Sequence, residues 1–349
     1  MSAEGIVGWD IGGAHLKAAS LSQGGVVLHV VQLPCPLWQG LKHLDGALDE
    51  ALRQLPAAVS CHAVTMTGEL VDLFASRAAG VRALIERLSR RLPAASMRIY
   101  AGDAGLVAAE QAITIADQVA SANWMATAAF LAPLIPQGLL VDIGSTTTDV
   151  IAVRGIVRAR GRNDHQRMVA DELVYTGVVR TPVMAVAQRL PFDGEWLQPM
   201  AEHFASMADV YRLTRQLPEH ADQMPAADNA GKSMAESARR LARMLGRDAE
   251  SAPLTSWQRA AEYIAEVQQM RIFDACARVL SRSVLDHEAA LIGAGVGRFL
   301  VPNLAHRLGR PCVDFSAFVD CHPDAKDWAA ACAPAIAVAK LAGRSAGCG

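Results

Sequence analysis

No apolar run in this sequence is long enough to cross a bilayer, which takes about 20 consecutive apolar residues. The N-terminus also lacks the basic segment and short apolar core of a secretory signal. With 52% hydrophobic and 19% charged residues, a globular, soluble protein of the cytoplasm is expected. An excess of one charge is missing as well: the net charge is −2 and Lys and Arg form no block. Neither nucleic acid nor an anionic membrane is therefore an expected partner. Cysteine patterning is absent too. Cys35, Cys61, Cys276, Cys312, Cys321, Cys332 and Cys348 are odd in number and make no C-x-x-C pair. This argues against a disulfide framework or zinc knuckle and predicts scattered free thiols. His306 and His322 lie near Cys312 and Cys321, but not at the spacing of a metal site.

What is present is a pair of similar loops in a chain of 349 residues, long enough to bury two cores. GIVGWDIGGAHLKAAS starts at Gly5 and GLLVDIGSTTTDVIAV at Gly138. In each, an apolar run ends in Asp-Ile-Gly, small residues follow, and a second apolar run returns. That is a strand, a tight turn open to a ligand, and a strand. Glycine permits φ > 0 and close backbone approach, so consecutive N–H groups can face a phosphate. Asp10 and Asp142 stand where a hydrated divalent cation is held. One such loop fits an ordinary hairpin end. Two with the same acid, glycine and flanks argue for related half-domains with a phosphate clamp between them.

Along the first half, strands alternate with helices. A strand at Val26 to Leu33 precedes a helix marked by Leu41, Leu44, Leu48, Leu52 and Leu55. A strand at Ala63 to Thr67 leads to a helix marked by Val81, Leu84, Leu88 and Leu92. A strand at Met97 to Ala101 follows, then small-residue helices through SANWMATAAFLAPLI. The pattern begins again at Leu139, with strands Val141 to Gly144 and Asp149 to Val153 and a turn at Arg154-Gly155 into Ile156 to Arg160. DELVYTGVVRTPV reads as a β-hairpin. From Met200 to about Asp248 the chain turns polar and Met-rich, a helical insertion with a flexible stretch around Pro225 to Lys232. A helix from Ser256 to Leu285 returns it to the sheet, and LIGAGVGRFL reads as strand, glycine turn and helix. Mixed sheets with covering helices follow.

The two Asp-Ile-Gly loops, the turn at Gly293, Gly295 and Gly297 and the final helix resemble the α/β actin-like ATPase (ribonuclease H-like) fold of sugar kinases, Hsp70 and actin. DIGSTTTDV resembles the second phosphate loop of the hydantoinase/oxoprolinase group. GWDIGGAHLKAA, TMTGELVDLF, SANWMATA, DELVYTGVVRTPV, MADVYRLT and LIGAGVGRFL jointly resemble a family encoded with tetrahydromethanopterin-linked one-carbon pathways. Its archaeal members make the ether bond of methanofuran, joining a furfuryl diphosphate to a tyramine derivative. The resemblance implies a two-half fold: residues 1–135 as the first half, with a helix at 329–343 packing back on it, and 136–328 as the second, carrying an insertion at 200–250. It also implies small-molecule diphosphate and phenolic substrates; oligomeric state stays open, a homodimer included.

The chemistry of that role sets the expected site. A furfuryl diphosphate ionises because the furan oxygen stabilises the developing cation, so the enzyme chiefly has to hold and neutralise the leaving diphosphate, which phosphate loops and Mg²⁺ supply. Asp10 and Asp142 are expected to organise Mg²⁺, while Lys17 and the backbone of Gly12, Gly13, Gly144, Ser145 and Thr146 hold diphosphate. The phenol, with a pKa near 10, gives its proton to a carboxylate, assigned to Asp149, which equally well caps a loop. Lys17 has the alternative of a solvated edge lysine, and His15 that of a neutral hydrogen-bond donor. Glu69, Asn123, Glu172, Tyr175 and Arg180 are expected around the substrate, Arg180 against a carboxylate of the acceptor. Trp124 reads as a core anchor. Two other classes stay open: an ATP-dependent kinase or hydantoinase/oxoprolinase-like amidohydrolase, with Gly293, Gly295 and Gly297 holding adenosine, and a nucleotide-gated scaffold. Ala14 stands where kinases of this fold place a hydroxyl after Gly-Gly, which weakens the kinase reading.

Overall fold

The computed structural model describes residues 5–55, 59–93 and 96–345; Cys348 lies outside them. The chain divides into two compact units. Unit 1 comprises Met1–Gly138, Ile151–Val169 and Val313–Gly349, and unit 2 Leu139–Val150 and Ala170–Cys312.

The first sheet contains β1 (Gly5–Ile11), β2 (His15–Leu21), β3 (Val27–Pro34), β4 (Val59–Met66), β5 (Met97–Tyr100) and β6 (Leu106–Ala108) in the order β3-β2-β1-β4-β5-β6. β1 to β3 form an antiparallel meander, β4 and β5 run parallel to β1, and β6 closes the edge antiparallel to β5. The second sheet draws on β7 (Gly138–Ile143), β8 (Thr148–Arg154), β9 (Ile156–Val157) and β10 (Leu173–Val174). A separate ribbon pairs β11 (Leu190–Phe192) with β12 (Glu195–Leu197), and β13 (Ala290–Ala294) and β14 (Cys312–Asp314) complete the sheet. Its order is β10-β8-β7-β13-β14, with β9 off the edge of β8. Both sheets thus run third, second, first, fourth, fifth, the topology of a duplicated actin-like half. The repeat read from two short loops extends to whole sheets.

Alternation along β1 decides what covers each face of the first sheet. Val7, Trp9 and Ile11 join one buried cluster with Leu44 and Leu48 of helix Lys42–Gln54 and Leu84 and Leu88 of helix Arg77–Leu88. That second helix starts where the Ser76 hydroxyl accepts from the Ala79 N–H at 3.2 Å, an N-cap. Gly8 points the other way, where helix Ala333–Arg344 packs on β1, β2, β4 and helix Asn123–Leu131. A side chain at Gly8 would collide with the Ala335 carbonyl and the Ala339 methyl. The alanine-rich helix therefore sits directly on the strand backbone.

Several sequence expectations are corrected. DELVYTGVVRTPV is not a hairpin: only Leu173 and Val174 form a strand, against Thr148 and Asp149 of β8. The long helix is Leu254–Leu280, ending before Leu285 because the chain turns at Ser281. The insertion holds helices Met207–Leu213 and Met234–Met244, but the stretch expected to be flexible is tied down. Arg240, fully buried, binds Asp209 and Asp228, and Lys232 donates to the Asp222 carbonyl at 2.8 Å. Ion pairs distant in sequence replace the apolar face that the pattern lacks. Cys35, Cys276 and Cys321 are free thiols, whereas Cys61 is disulfide-bonded, a pairing that sequence spacing does not announce. Among the described residues no helix is long and apolar enough to cross a membrane.

Two outcomes follow. Gly8→Ala should destabilise the protein by about 1–3 kcal/mol in urea unfolding, because the added methyl has no space between strand and helix. The second concerns His62 on β4, which is buried and accepts the Trp9 indole N–H at 3.1 Å. Burial lowers its pKa from 6.5 to about 4, so it is neutral in the fold and protonates first in the unfolded chain. Its contribution is complete above pH 6.5 and is lost as pH falls towards 4, which amounts to about 2 kcal/mol between pH 7.5 and 5. His62→Gln keeps an acceptor for Trp9 and should remove that part of the pH dependence.

Candidate functional site

The two glycine-acid loops have the same backbone construction. After β1, the Gly12 N–H donates to the His15 carbonyl at 3.0 Å; after β7, the Gly144 N–H donates to the Thr147 carbonyl at 2.8 Å. Neither glycine has φ in the left-handed region. Of the two freedoms glycine offers, Gly12 uses close approach, since a Cβ there would stand 2.8 Å from the His15 oxygen.

The carbonyls on each loop are tethered to one side. Gly13 O and Ala14 O accept from Leu37 N and Cys35 N at 3.0 and 2.8 Å. In unit 2, Gly144 O accepts from Val178 N at 3.1 Å, and Ser145 O from Val179 N and Arg180 N at 3.2 and 2.8 Å. A trans peptide directs its C=O and N–H to opposite sides. The N–H groups of Ala14 and His15, and of Ser145 and Thr146, are therefore turned away from the tethering segments. Each loop presents two consecutive donors, the arrangement that makes an anion-binding nest.

The side chains beside the two nests differ. In unit 1, Asp10 and Lys17 are cross-strand partners, with Nζ 3.9 Å from Oδ2. In unit 2, Asp142 lies at the end of β7, and the position matching Lys17 in the repeat is Asp149, half-buried on β8. Asp10 and Asp142 are both buried. Among the described residues no three His, Cys, Asp or Glu side chains converge to hold a metal. One carboxylate per loop does fit Mg²⁺ brought in on a diphosphate, since that ion binds through one or two carboxylates plus phosphate oxygens and water.

Loop 2 is framed by its own unit. Gly295, at φ +80°, approaches β7 so closely that a side chain would strike Asp142 and Ile143, and the Gly297 N–H donates to Ile143 O at 2.8 Å. Gly293 packs against Val301. The glycine turn thus seats the Asp142 strand. The tethering segment is fixed by Gln268, fully buried on helix Leu254–Leu280. It accepts from the Tyr211 hydroxyl at 2.7 Å and donates to Thr176 Oγ1 at 2.6 Å and Gly177 O at 2.9 Å. Arg180 reaches Thr146 Oγ1 at 3.4 Å, and burial lowers its pKa. Tyr175 is exposed, whereas Glu172 is fully buried in an ion pair with Arg282. Glu172 therefore anchors β10 internally.

In unit 1, the segment after β4 lies along loop 1. Thr67 N–H donates to Ile11 O at 2.9 Å, and Gly68 packs on Ile11 and Leu37. The next residue, Glu69, is 1% exposed. Its Oε1 accepts from the Ser121 hydroxyl at 2.8 Å, its Oε2 has no hydrogen-bond partner, and burial raises its pKa. Ser121 also reaches Asp164 at 3.3 Å. Asp164 is paired with Arg77 and stands 3.7 Å from Arg167, whose guanidinium lies 4.1 Å over the Trp124 ring. Asn123 accepts from the Trp124 N–H at 2.8 Å, holding the helix start. Sequence reasoning named Glu69, Asn123 and Trp124 but missed Arg77, Ser121, Asp164 and Arg167. These stand in three separate segments, Asp164 and Arg167 sharing one short helix, and only SANW gave a signal.

Comparison with known proteins places the chain. The hydantoinase/oxoprolinase family matches residues 60–343. The (4-{4-[2-(gamma-L-glutamylamino)ethyl]phenoxymethyl}furan-2-yl)methanamine synthase of Methanocaldococcus jannaschii is 31% identical over 248 residues, 70% of this chain and 72% of that protein. The synthase of the same name from Methanococcus vannielii is 35% identical over 72 residues, 21% of this chain and 32% of its own. Among solved structures, a nucleotide-free acetone carboxylase is similar at a TM-score of 0.55 and 11% identity, over 87% of this chain and 67% of that one. That likeness concerns the fold alone. By sequence and topology together, the chain belongs to the hydantoinase/oxoprolinase family, on the two-half actin-like ATPase fold, and within it to the family of the furanylmethanamine synthases.

Proposed function

We propose that this protein is a diphosphate-releasing transferase of methanofuran-type cofactor biosynthesis for tetrahydromethanopterin-linked one-carbon metabolism. It joins an aminomethylfuran-methyl diphosphate to the phenol of tyramine, tyrosine or a glutamyl derivative. The observation that carries this reading is the 248-residue match to a synthase whose product contains a phenoxymethyl-furan link. In the reaction the bond between the furan methylene and the diphosphate oxygen breaks, its electron pair leaving with diphosphate. The phenol oxygen forms the new C–O bond, and its proton goes to a carboxylate.

The two nests divide this work by their side chains. Loop 1 couples its N–H pair to Lys17, suited to the charge that develops on the leaving diphosphate. Mg²⁺, when bound through Asp10 or Asp142, supplies further neutralisation of that charge. Loop 2 places Asp149 where loop 1 has Lys17, and Asp149 is the proposed base. Arg180 remains the proposed partner of an acceptor carboxylate. Ala14 supports a diphosphate over a triphosphate ligand, because its methyl offers no hydroxyl where kinases of this fold use one.

The direct test is incubation with Mg²⁺, the furan-methyl diphosphate and tyramine or γ-glutamyltyramine, without ATP, followed by pyrophosphate release and mass spectrometry of the ether. ATP consumption on adding the acceptor, with no ether formed, would replace the transferase with a kinase. Asp149→Asn should lower kcat on the order of 100-fold or more while leaving unfolding unchanged. A fluorinated tyramine of lower phenol pKa should recover part of that loss, which a merely structural aspartate would not allow. Gln268→Leu unhooks the segment that tethers loop 2. It should raise KM for the phenolic acceptor on the order of 10-fold with a smaller change in kcat, and Tyr211→Phe should do less.

A further inference from the structure

Among the described residues of the unit 1 cluster, Glu69 is the carboxylate with no basic side chain at contact distance. Asp164 has Arg77 as a direct partner and Arg167 at 3.7 Å. Glu69 accepts from the Ser121 hydroxyl on Oε1 and interacts with its own backbone N–H, but its Oε2 has no hydrogen-bond partner. Arg77 acts on it only through space, opposed there by Asp164. A buried acceptor left without a donor is costly, typically by about 1–3 kcal/mol and more when the group is charged. Such a group in a native protein requires an explanation.

Its place narrows the explanation. Glu69 sits in the middle of Thr67–Val71, the segment whose ends touch loop 1: Thr67 bonds Ile11, and Val71 lies 3.0 Å from where a Gly13 Cβ would be. Leu70, the next residue, is 45% exposed, so the segment that carries the buried acid reaches the surface of unit 1 while its ends touch loop 1. A ligand held at the nest by its diphosphate would extend its other end along this segment. The group that satisfies an unpaired buried carboxylate oxygen is a cationic donor.

We propose that Glu69 is the recognition site for the primary ammonium group of the furan-methyl diphosphate, so that one short segment reads the amine while the adjoining loop holds the phosphates. This rests on the transferase reading, in which the furan substrate carries the aminomethyl group retained in the methanamine product. Ser121 is then the positioning residue that orients the carboxylate, and the Asp164–Arg77 pair holds Ser121.

The test compares binding and turnover of the aminomethylfuran-methyl diphosphate with those of an analogue bearing methyl in place of aminomethyl, with inorganic pyrophosphate as a third ligand. Calorimetry should show wild-type protein preferring the amine on the order of 100-fold. Glu69→Gln should reduce that preference to about threefold or less by weakening the amine compound, with pyrophosphate affinity retained as a check on folding. Equal wild-type affinity for the two furans would overturn the proposal, as would a Glu69→Gln variant that loses both equally. A preference that persists without ether formation would keep the ammonium site and remove the transferase reaction. Binding of neither furan would remove both.

Discussion

The constraint on which the site depends is the planarity of the peptide group. A loop of small residues has no side chains with which to shape itself. Its donors face outward only if something fixes its carbonyls inward. Both loops meet this requirement in the same way, by offering consecutive carbonyls to backbone N–H groups of a later segment, 35–37 in unit 1 and 178–180 in unit 2. Once those bonds form, the opposite edges of the same peptides have no choice of direction. The nest is therefore a consequence of strand-end tethering, and the chemistry of the tip residues is secondary. This explains how Gly-Gly-Ala in one loop and Gly-Ser-Thr in the other produce the same backbone.

Duplication of the backbone leaves the side chains to diverge. At the residue that returns alongside the acid, unit 1 has Lys17 and unit 2 has Asp149. A lysine beside a nest favours an anion, and a carboxylate at the matching position disfavours one. Equivalent positions thus acquire opposite electrostatics without any change in topology.

Much of this was legible in the sequence because it repeats. The Asp-Ile-Gly turns, the leucine periodicity of residues 41–55 and the alternating strands of the first half each follow local rules of period and turn chemistry. The sheet orders follow from the repeat. What was not legible depends on contacts between distant segments. Nothing near Glu69 announces that Ser121 and Asp164 will be its neighbours, and nothing near Thr176 announces Gln268 on a helix more than 90 positions away. Within the helical insertion, the stretch around Pro225 to Lys232 was misread as flexible for the same reason, since its order comes from Arg240 and its aspartates and not from an apolar stripe. Glu172 was expected at the substrate because of its motif, while its burial with Arg282 is a tertiary fact.

The glycine turn 293–297 shows how a motif with one familiar use can carry another. Gly295 has a positive φ and lies against Asp142 and Ile143, and the Gly297 N–H takes the Ile143 carbonyl. Its glycines are thus required by the seating of β7 whether or not a nucleotide ever binds there. Their presence therefore cannot distinguish a kinase from a transferase. The discriminating residues are those outside that turn: Ala14, where a hydroxyl would serve a triphosphate, and Asp149, which stands opposite Leu173 on β8 at the position that Lys17 holds in the first repeat.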